Sequence, residues 1–462
     1  MLKKIIGDKA FYRRILAVAI PILIQNLISN FVSLLDNIMV GQIGKPEMSG
    51  VSIVNQLMFI FNLCIFGAVS GAGIFTAQFY GCQDHKGIRH TFRFKIYAGV
   101  ALTVLWLAAF SLFGDGLIGL YLQGDADPTE AALTLEHGNA YLQVMLLGLL
   151  PFALSNTYAS TLRETGQAFV PMIAGVTAVV VNLALNYVLI FGHFGAPAMG
   201  VQGAALATVI SRYVELAIVA VWTHCHGERH PFIRGVYRSG YIPGKLLKQI
   251  VLKGTPLLTN EALFACGIAT MNQCYSVRGL DVVAAMNISS TLYNMGSVAY
   301  LTMGSVVAII MGQMMGANHT KEEITDSHRK ITALSVVSCL LFGGILIALS
   351  PVFPMIYNTS DSVRSLAGQL ICVAAFFMPF NAYIHSAYFA LRSGGKTFIT
   401  FLFDSGFVWG VNVPLAFCLS RFTALPILPL YFLCLSTDLV KCLVGWLTLR
   451  SGKWIQNLAN IG

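Results

Sequence analysis

Asp36 is the residue whose chemistry asks for an explanation first. It stands within Ile15–Val40, a stretch with no other charge from Leu16 onward. A charged side chain at the centre of a bilayer costs about 2.5–3.5 kcal/mol on insertion scales, so a membrane chain keeps one there mainly to handle ions or protons. Glu261 is a second case, inside the apolar run Ile250–Tyr275. Gln25, Ser29 and Asp36 share one face of a helix, since 11 residues at about 100° return to within roughly 20° of the start. Asn182 and Asn186, four residues apart, form another one-sided polar pair, and Thr208 offers a hydroxyl. A carboxylate with two amides and a hydroxyl suits either an oxygen-rich Na⁺ site or a proton-binding carboxyl with hydrogen-bond partners. The competing reading of the two asparagines is helix-to-helix bonding alone.

In the second half of the chain, Asn381, His385 and Tyr388 repeat at i, i+4 and i+7 and face one way, as substrate-path candidates with Gln25. His385 either titrates or sits neutral in a structural bond. Asp404 and Asp438 are further intramembrane acids, for which solvation at a helix end is the simpler account. Arg212 snorkels or pairs with Glu215. His224, His226 and His230 read as an ordinary loop in preference to a metal site. No phosphate-binding GxxxxGK[ST], nucleophile elbow or HExxH occurs, which leaves ATP-driven transport and hydrolysis without support and points away from an enzyme.

These groups need a scaffold, and the composition supplies one. The chain of 462 residues is 56% hydrophobic and 11% charged, with a mean hydropathy of +0.71. That places it among multi-pass membrane proteins. Runs of roughly 20 apolar residues, the length that crosses a bilayer, fall near 15–38, 51–76, 94–114, 137–160, 167–191, 200–223, 247–275, 283–312, 331–351, 366–391, 397–419 and 425–449, giving twelve expected helices. The first is too long and polar for a cleavable signal. Ten cysteines without a CxxC pair read as packing residues.

The net charge of +9 is distributed by loop. One set of segments carries Lys3, Lys4, Lys86, Arg93, Lys95, Arg163, Arg234, Lys253, Arg329, Arg392, Lys441 and Arg450. The alternate loops keep few basic residues, and 114–136 holds Asp115, Asp125, Asp127, Glu130 and Glu136 with no Lys or Arg. This alternation predicts cytoplasmic N- and C-termini in an inner (cytoplasmic) membrane, and it leaves nucleic acid without a binding surface.

Shifting the sequence by 235 residues sets Pro21 on Pro256, Asn37 on Asn272, Gln78 on Gln313 and Gly81 on Gly316. A shift of 229 sets Leu162-Arg163 on Leu391-Arg392 and Gly166 on Gly395. The repeat predicts an N-lobe at 1–223, a linker at 224–246 and a C-lobe at 247–462, with a substrate path near the midplane.

The segment Ala19-Ile-Pro…Leu-Leu-Asp36-Asn-Ile-Met-Val-Gly-Gln-Ile-Gly44 resembles the first-helix signature of the multidrug and toxic compound extrusion (MATE) transporters. Ala77-Gln-Phe-Tyr-Gly81 is similar to the end of their second helix. Leu162-Arg-Glu-Thr-Gly-Gln167 and Leu391-Arg-Ser-Gly-Gly-Lys396 resemble their paired loops. The resemblance implies an all-α fold of two pseudo-symmetric six-helix lobes in a V. It implies export of cationic compounds against inward Na⁺ or H⁺. By the same resemblance Asp36, Asn182 and Asn186 match the N-lobe cation site, and Glu261 the seventh-helix carboxylate of NorM-like rather than DinF-like bacterial members. Asn381 stands where NorM-like members commonly carry an acid, which favours the N-lobe as the coupling site.

The sequence therefore predicts a monomeric secondary antiporter without a cofactor, exporting amphipathic organic cations in exchange for H⁺ or Na⁺. The coupling residues are Asp36, Asn182, Asn186, Thr208 and Glu261, with Na⁺, if used, at the first three. A lipid-linked sugar flippase of the same superfamily and a non-transporting receptor or scaffold are the alternatives.

Overall fold

The structure, a computed structural model, describes residues 6–122, 128–357 and 359–459, and for 32–34, 37, 38 and 45 the backbone only. The charges assigned to Lys3, Lys4, Asp125 and Asp127 lie outside the described residues. The described chain is helical throughout: α1 Lys9–Gly41, α2 Lys45–Gly81, α3 His85–Gly119, α4 Pro128–Leu146, α5 Leu149–Glu164, α6 Phe169–Phe191, α7 Gly200–Cys225, α8 Gly244–Ser276, α9 Leu280–Gly316, α10 Lys321–Leu349, α11 Asp361–Ser393, α12 Thr397–Phe401, α13 Val413–Phe422 and α14 Ile427–Arg450.

Ten described helices are long and apolar enough to cross a membrane, and the bent pair α4–α5 makes an eleventh. The expectation of twelve is met by helix in every position, with two modifications. The fourth span bends by 49° between Leu146 and Leu149. Gly148 sits at the bend, where an added Cβ would come within 3.1 Å of Val209 and 3.4 Å of Arg212 on α7. The seventh, α8, is one helix but less apolar, because Lys245, Lys248, Lys253, Asn260 and Glu261 interrupt it.

The chain divides into two compact units. One comprises Ile24–Thr76 and His85–Lys248. Its core is built on Val54, Phe61, Phe110, Leu142 and Leu149, with Phe61 edge-on to Trp106. The predicted linker lies on α3 in this unit. Arg89 donates to the carbonyls of Pro231 and Phe232 at 3.1 and 3.0 Å, and Arg93 to those of Val236, Gly235 and Tyr241 at 2.7–3.1 Å. Each linker histidine has aromatic company. His226 stacks on Trp222, His224 bonds Tyr158, and His230 packs against Trp222 and Phe232. Burial, with His226 and Arg229 nearby, holds the His230 imidazole below its usual range.

The other unit comprises Met1–Leu23, Ala77–Asp84 and Gln249–Gly462. In it α11 packs on α9, α10 and α14, around Leu292, Leu346, Met378 and Ala382. The last turn of α2 meets the last turn of α9 here, and the repeat becomes physical. A Cβ on Gly81 would strike the Gln313 carbonyl, and one on Gly316 would strike the Gln78 carbonyl. Small residues permit this backbone approach between apolar helices, where packing takes the place of a hydrophobic drive. Gly81→Ala and Gly316→Ala should each lower stability by about 1–3 kcal/mol through overpacking, read as a fall in melting temperature. Gly116→Ala is the control, because no atom lies within 4 Å of its added Cβ. There alanine should gain up to about 1 kcal/mol from helix propensity.

The paired loops repeat at the same level of detail. Gly166 and Gly395 both adopt positive φ, +81° and +72°. Gln167 N–H bonds the Leu162 carbonyl as Lys396 N–H bonds that of Leu391, and Gly166 bonds Arg163 as Gly395 bonds Arg392. Each closes its helix with a Schellman motif, which needs the left-handed residue that glycine provides.

Candidate functional site

The Asp36 cluster lies within the first-described unit. α6 projects Asn182 and Asn186 from one face because they are one turn apart, and both side chains are buried, at 6% and 2% exposure. α1 brings the half-buried Asp36, and α7 brings Thr208. Asn186 Nδ2 donates to Asp36 Oδ1 at 2.7 Å. The Asn182 amide has two orientations. In one it donates to Thr208 Oγ1 and accepts from Asn186 Nδ2, at 3.2 and 3.3 Å. In the other its nitrogen donates to both Asp36 oxygens at 3.0 Å while its oxygen accepts from Thr208 Oγ1 at 3.2 Å. The second is the better satisfied, since it gives a carboxylate donors on both oxygens. Within the cluster one buried acceptor, Asn186 Oδ1, has no partner among the described residues. A lone buried oxygen beside a carboxyl is chemically costly unless a proton or cation arrives to use it.

Asp36, Asn182, Asn186 and Thr208 thus come together as the sequence predicts. Gln25 does not join them. Its side chain lies under Gly175 of α6 and within 3.5 Å of Arg163 Nη1, roughly 16 Å along α1 from Asp36 at 1.5 Å per residue.

The second-half candidates gather in the other unit, in a different arrangement from the expected one. Asn381 donates to Asp438 Oδ2 at 3.3 Å, and its carbonyl contacts His385 Nδ1 at 2.9 Å. His385 packs on the Tyr300 ring at 4.4 Å. Asn260, absent from the sequence reading, donates to Tyr388 at 3.2 Å and to Asp404 Oδ2 at 3.0 Å. Tyr388, Arg392 and Asp404 are the groups that act on the half-buried Glu261.

Two expectations are corrected here. Asp404 and Asp438 are not solvated at helix ends, because Asp438 is 9% exposed and Asp404 is bonded to Lys441 Nζ at 2.8 Å. Lys441 is a buried residue of α14, not a loop charge. Lys95 is likewise fully buried on α3 and bonded to Glu164 Oε2 at 2.6 Å. Arg212 keeps Glu215 as an electrostatic partner, as the sequence allowed, and its guanidinium also lies 4.5 Å over the Phe152 ring.

Helices of this length and apolarity, enclosing carboxylates satisfied by amides and hydroxyls, define a multi-pass membrane transporter. Residues 21–188 and 256–418 match the MatE family model, two segments that begin on the prolines superposed by the internal repeat. The chain belongs to the MatE family of multidrug resistance transporters. It is 25% identical over 454 residues to the probable multidrug resistance protein NorM of Thermotoga maritima, spanning 96% of this chain and 93% of that one. It is 27% identical over 423 residues to the probable multidrug resistance protein YoeA of Bacillus subtilis, spanning 88% and 87%. Its fold matches a solved outward-facing multidrug resistance MATE family transporter of the MOP superfamily, with a TM-score of 0.85, 18% identity and 97% of each chain covered.

Proposed function

We propose that this transporter is a secondary antiporter that exports amphipathic organic cations in exchange for a monovalent cation taken up at Asp36. The observation that carries the reading is the orphan Asn186 oxygen beside the Asp36 carboxylate. If the Asn186 amide turns over, its oxygen replaces the nitrogen 2.7 Å from Asp36 and can accept from a protonated carboxyl. H⁺ is favoured over Na⁺ because a protonated carboxyl needs one turned amide oxygen, whereas Na⁺ needs several oxygens at once and the Asn182 nitrogen also faces the carboxylate in the better-satisfied orientation. A one-for-one exchange of monovalent cations moves no net charge, so accumulation follows the chemical gradient of the coupling ion, and only a further ion per cycle would draw the about 2.3 kcal/mol that 100 mV supplies per charge. Relatives named as probable multidrug resistance proteins support drug export in general.

The flippase reading needs free cations to hold a pyrophosphate. Among the described residues the lysines buried within the helices, Lys95 and Lys441, are each neutralised by a carboxylate, and the Arg212 guanidinium is engaged by the Phe152 ring and Glu215, which argues against it. The deciding experiment is efflux of ethidium from proteoliposomes under separately imposed proton and Na⁺ gradients. Efflux driven by the proton gradient alone is expected, and efflux driven by Na⁺ alone would reassign the ion. Failure under both would remove the organic-cation assignment.

A further inference from the structure

Asp404 sits in an unusual piece of backbone. Between α12 and α13 the chain runs through two π-helical stretches, Leu402–Gly406 and Val408–Asn412. Such turns are locally unfavourable in a helix and concentrate at functional sites. Here they present Phe403, Asp404 and Phe407 toward Lys441 of α14. The Lys441 ammonium lies 2.8 Å from Asp404 Oδ1, 5.4 Å from the centre of the Phe403 ring and 5.9 Å from that of Phe407. Asn260 holds the other carboxylate oxygen and is itself fixed by Ser405, whose N–H and hydroxyl donate to Asn260 Oδ1 at 3.2 and 2.7 Å.

A carboxylate flanked by two aromatic faces is the chemistry that recognises an alkylammonium. The pair is also a poor stabiliser, because desolvating two charges offsets most of their attraction and apolar residues of the same volume serve as well. Two costly features, the π-helical backbone and the buried ion pair, coincide at one carboxylate. We propose that Asp404 with Phe403 and Phe407 is an ammonium-binding subsite, that Lys441 is its tethered resident ligand, and that an organic cation binds there by displacing the lysine. The inference rests on the organic-cation reading above and adds a residue-level site in the second half of the chain.

A tethered competitor lowers the apparent affinity by the fraction of time the site is open. Freeing the site should therefore tighten binding. The test is calorimetric titration of the purified full-length protein with n-butylammonium and tetramethylammonium, with n-butanol as the uncharged control. Lys441→Ala is expected to bind both cations at least about tenfold more tightly than the native chain, as expected if the lysine occupies the site roughly nine-tenths of the time. The alcohol should show no gain, and the gain should vanish in Lys441→Ala/Asp404→Asn. Lys441→Met, which keeps the volume of the stem, is the second variant and should show the gain for tetramethylammonium. Should either single variant fold poorly, n-butylammonium and not n-butanol should restore its folded yield.

Unchanged or weaker affinity in both variants overturns the proposal. So does a gain that survives the loss of Asp404, or misfolding that the cation does not rescue. Ethidium efflux by the native chain, run in parallel, separates the two failures. Loss there sinks the export reading, whereas intact efflux without an affinity gain sinks only the subsite.

Discussion

Asp36→Asn is expected to abolish gradient-driven efflux while leaving the amount of folded, inserted protein unchanged. The fold should tolerate the change because the local bonding can be completed. The asparagine oxygen still accepts from Asn186 Nδ2, now 2.7 Å from Asp36. Its new amide hydrogens can serve Asn186 Oδ1, which is at present a buried acceptor without a donor. Stability should therefore be equal to the native chain or slightly higher, as when an orphan polar group gains a partner. What disappears is the ability to change charge, and with it the coupling of substrate export to the ion gradient. Proteoliposomes should retain downhill ethidium equilibration but show no concentration against a gradient. Asn186→Leu gives the complementary measurement, since it removes the 2.7 Å donor and the orphan oxygen together and leaves the carboxylate in place. Coupled efflux at the native rate in Asp36→Asn would remove this carboxylate from the mechanism.

The N-terminal half of this site was legible because its signals are local. Two asparagines one turn apart in an apolar helix must share a face, and an acid among aliphatic residues must find them or an equivalent. Neighbouring helices in sequence then complete the cluster, as α6 and α7 do for Asn186 and Thr208. The repeat was legible for a related reason. Glycines at positive φ and at backbone crossings cannot be replaced cheaply, so Gly166 and Gly395, or Gly81 and Gly316, still mark equivalent turns at low overall identity. Lys95 and Lys441 were misplaced because hydropathy weighs each residue as if its surroundings were lipid or water. It cannot see that α5 places Glu164 against Lys95, or that a π-helical turn carries Asp404 to Lys441. Asn260 carries no charge to mark it beside Glu261, and its partners Tyr388 and Asp404 lie 128 and 144 residues away in sequence. The close approach at Gly148 was invisible for the same reason, since the side chains that crowd it, Val209 and Arg212, come from another helix.

Lys95→Met should be among the most destabilising single changes in the first half of the chain. The side chain is fully buried, and its ammonium donates to Ser160 Oγ and Thr161 Oγ1 at 3.1 Å each and to Glu164 Oε2 at 2.6 Å. All three acceptors lie on the last turns of α5, directly before the Gly166 Schellman turn. The other oxygen of Glu164 occupies the space that a Cβ on Gly73 of α2 would take. Removing the lysine leaves the carboxylate in a pocket shaped for an ion pair, at an expected cost of about 3–5 kcal/mol. The measurement is loss of monodispersity with temperature for detergent-solubilised protein. Glu164→Gln should cost less, because the ammonium keeps both hydroxyls and an amide oxygen. The double variant Lys95→Met/Glu164→Gln should recover most of the loss, since a neutral pair of similar volume avoids the desolvation of both charges. That recovery separates an ion pair from simple packing: if Met at 95 acted only by shape, the second substitution would add to the damage instead of repairing it.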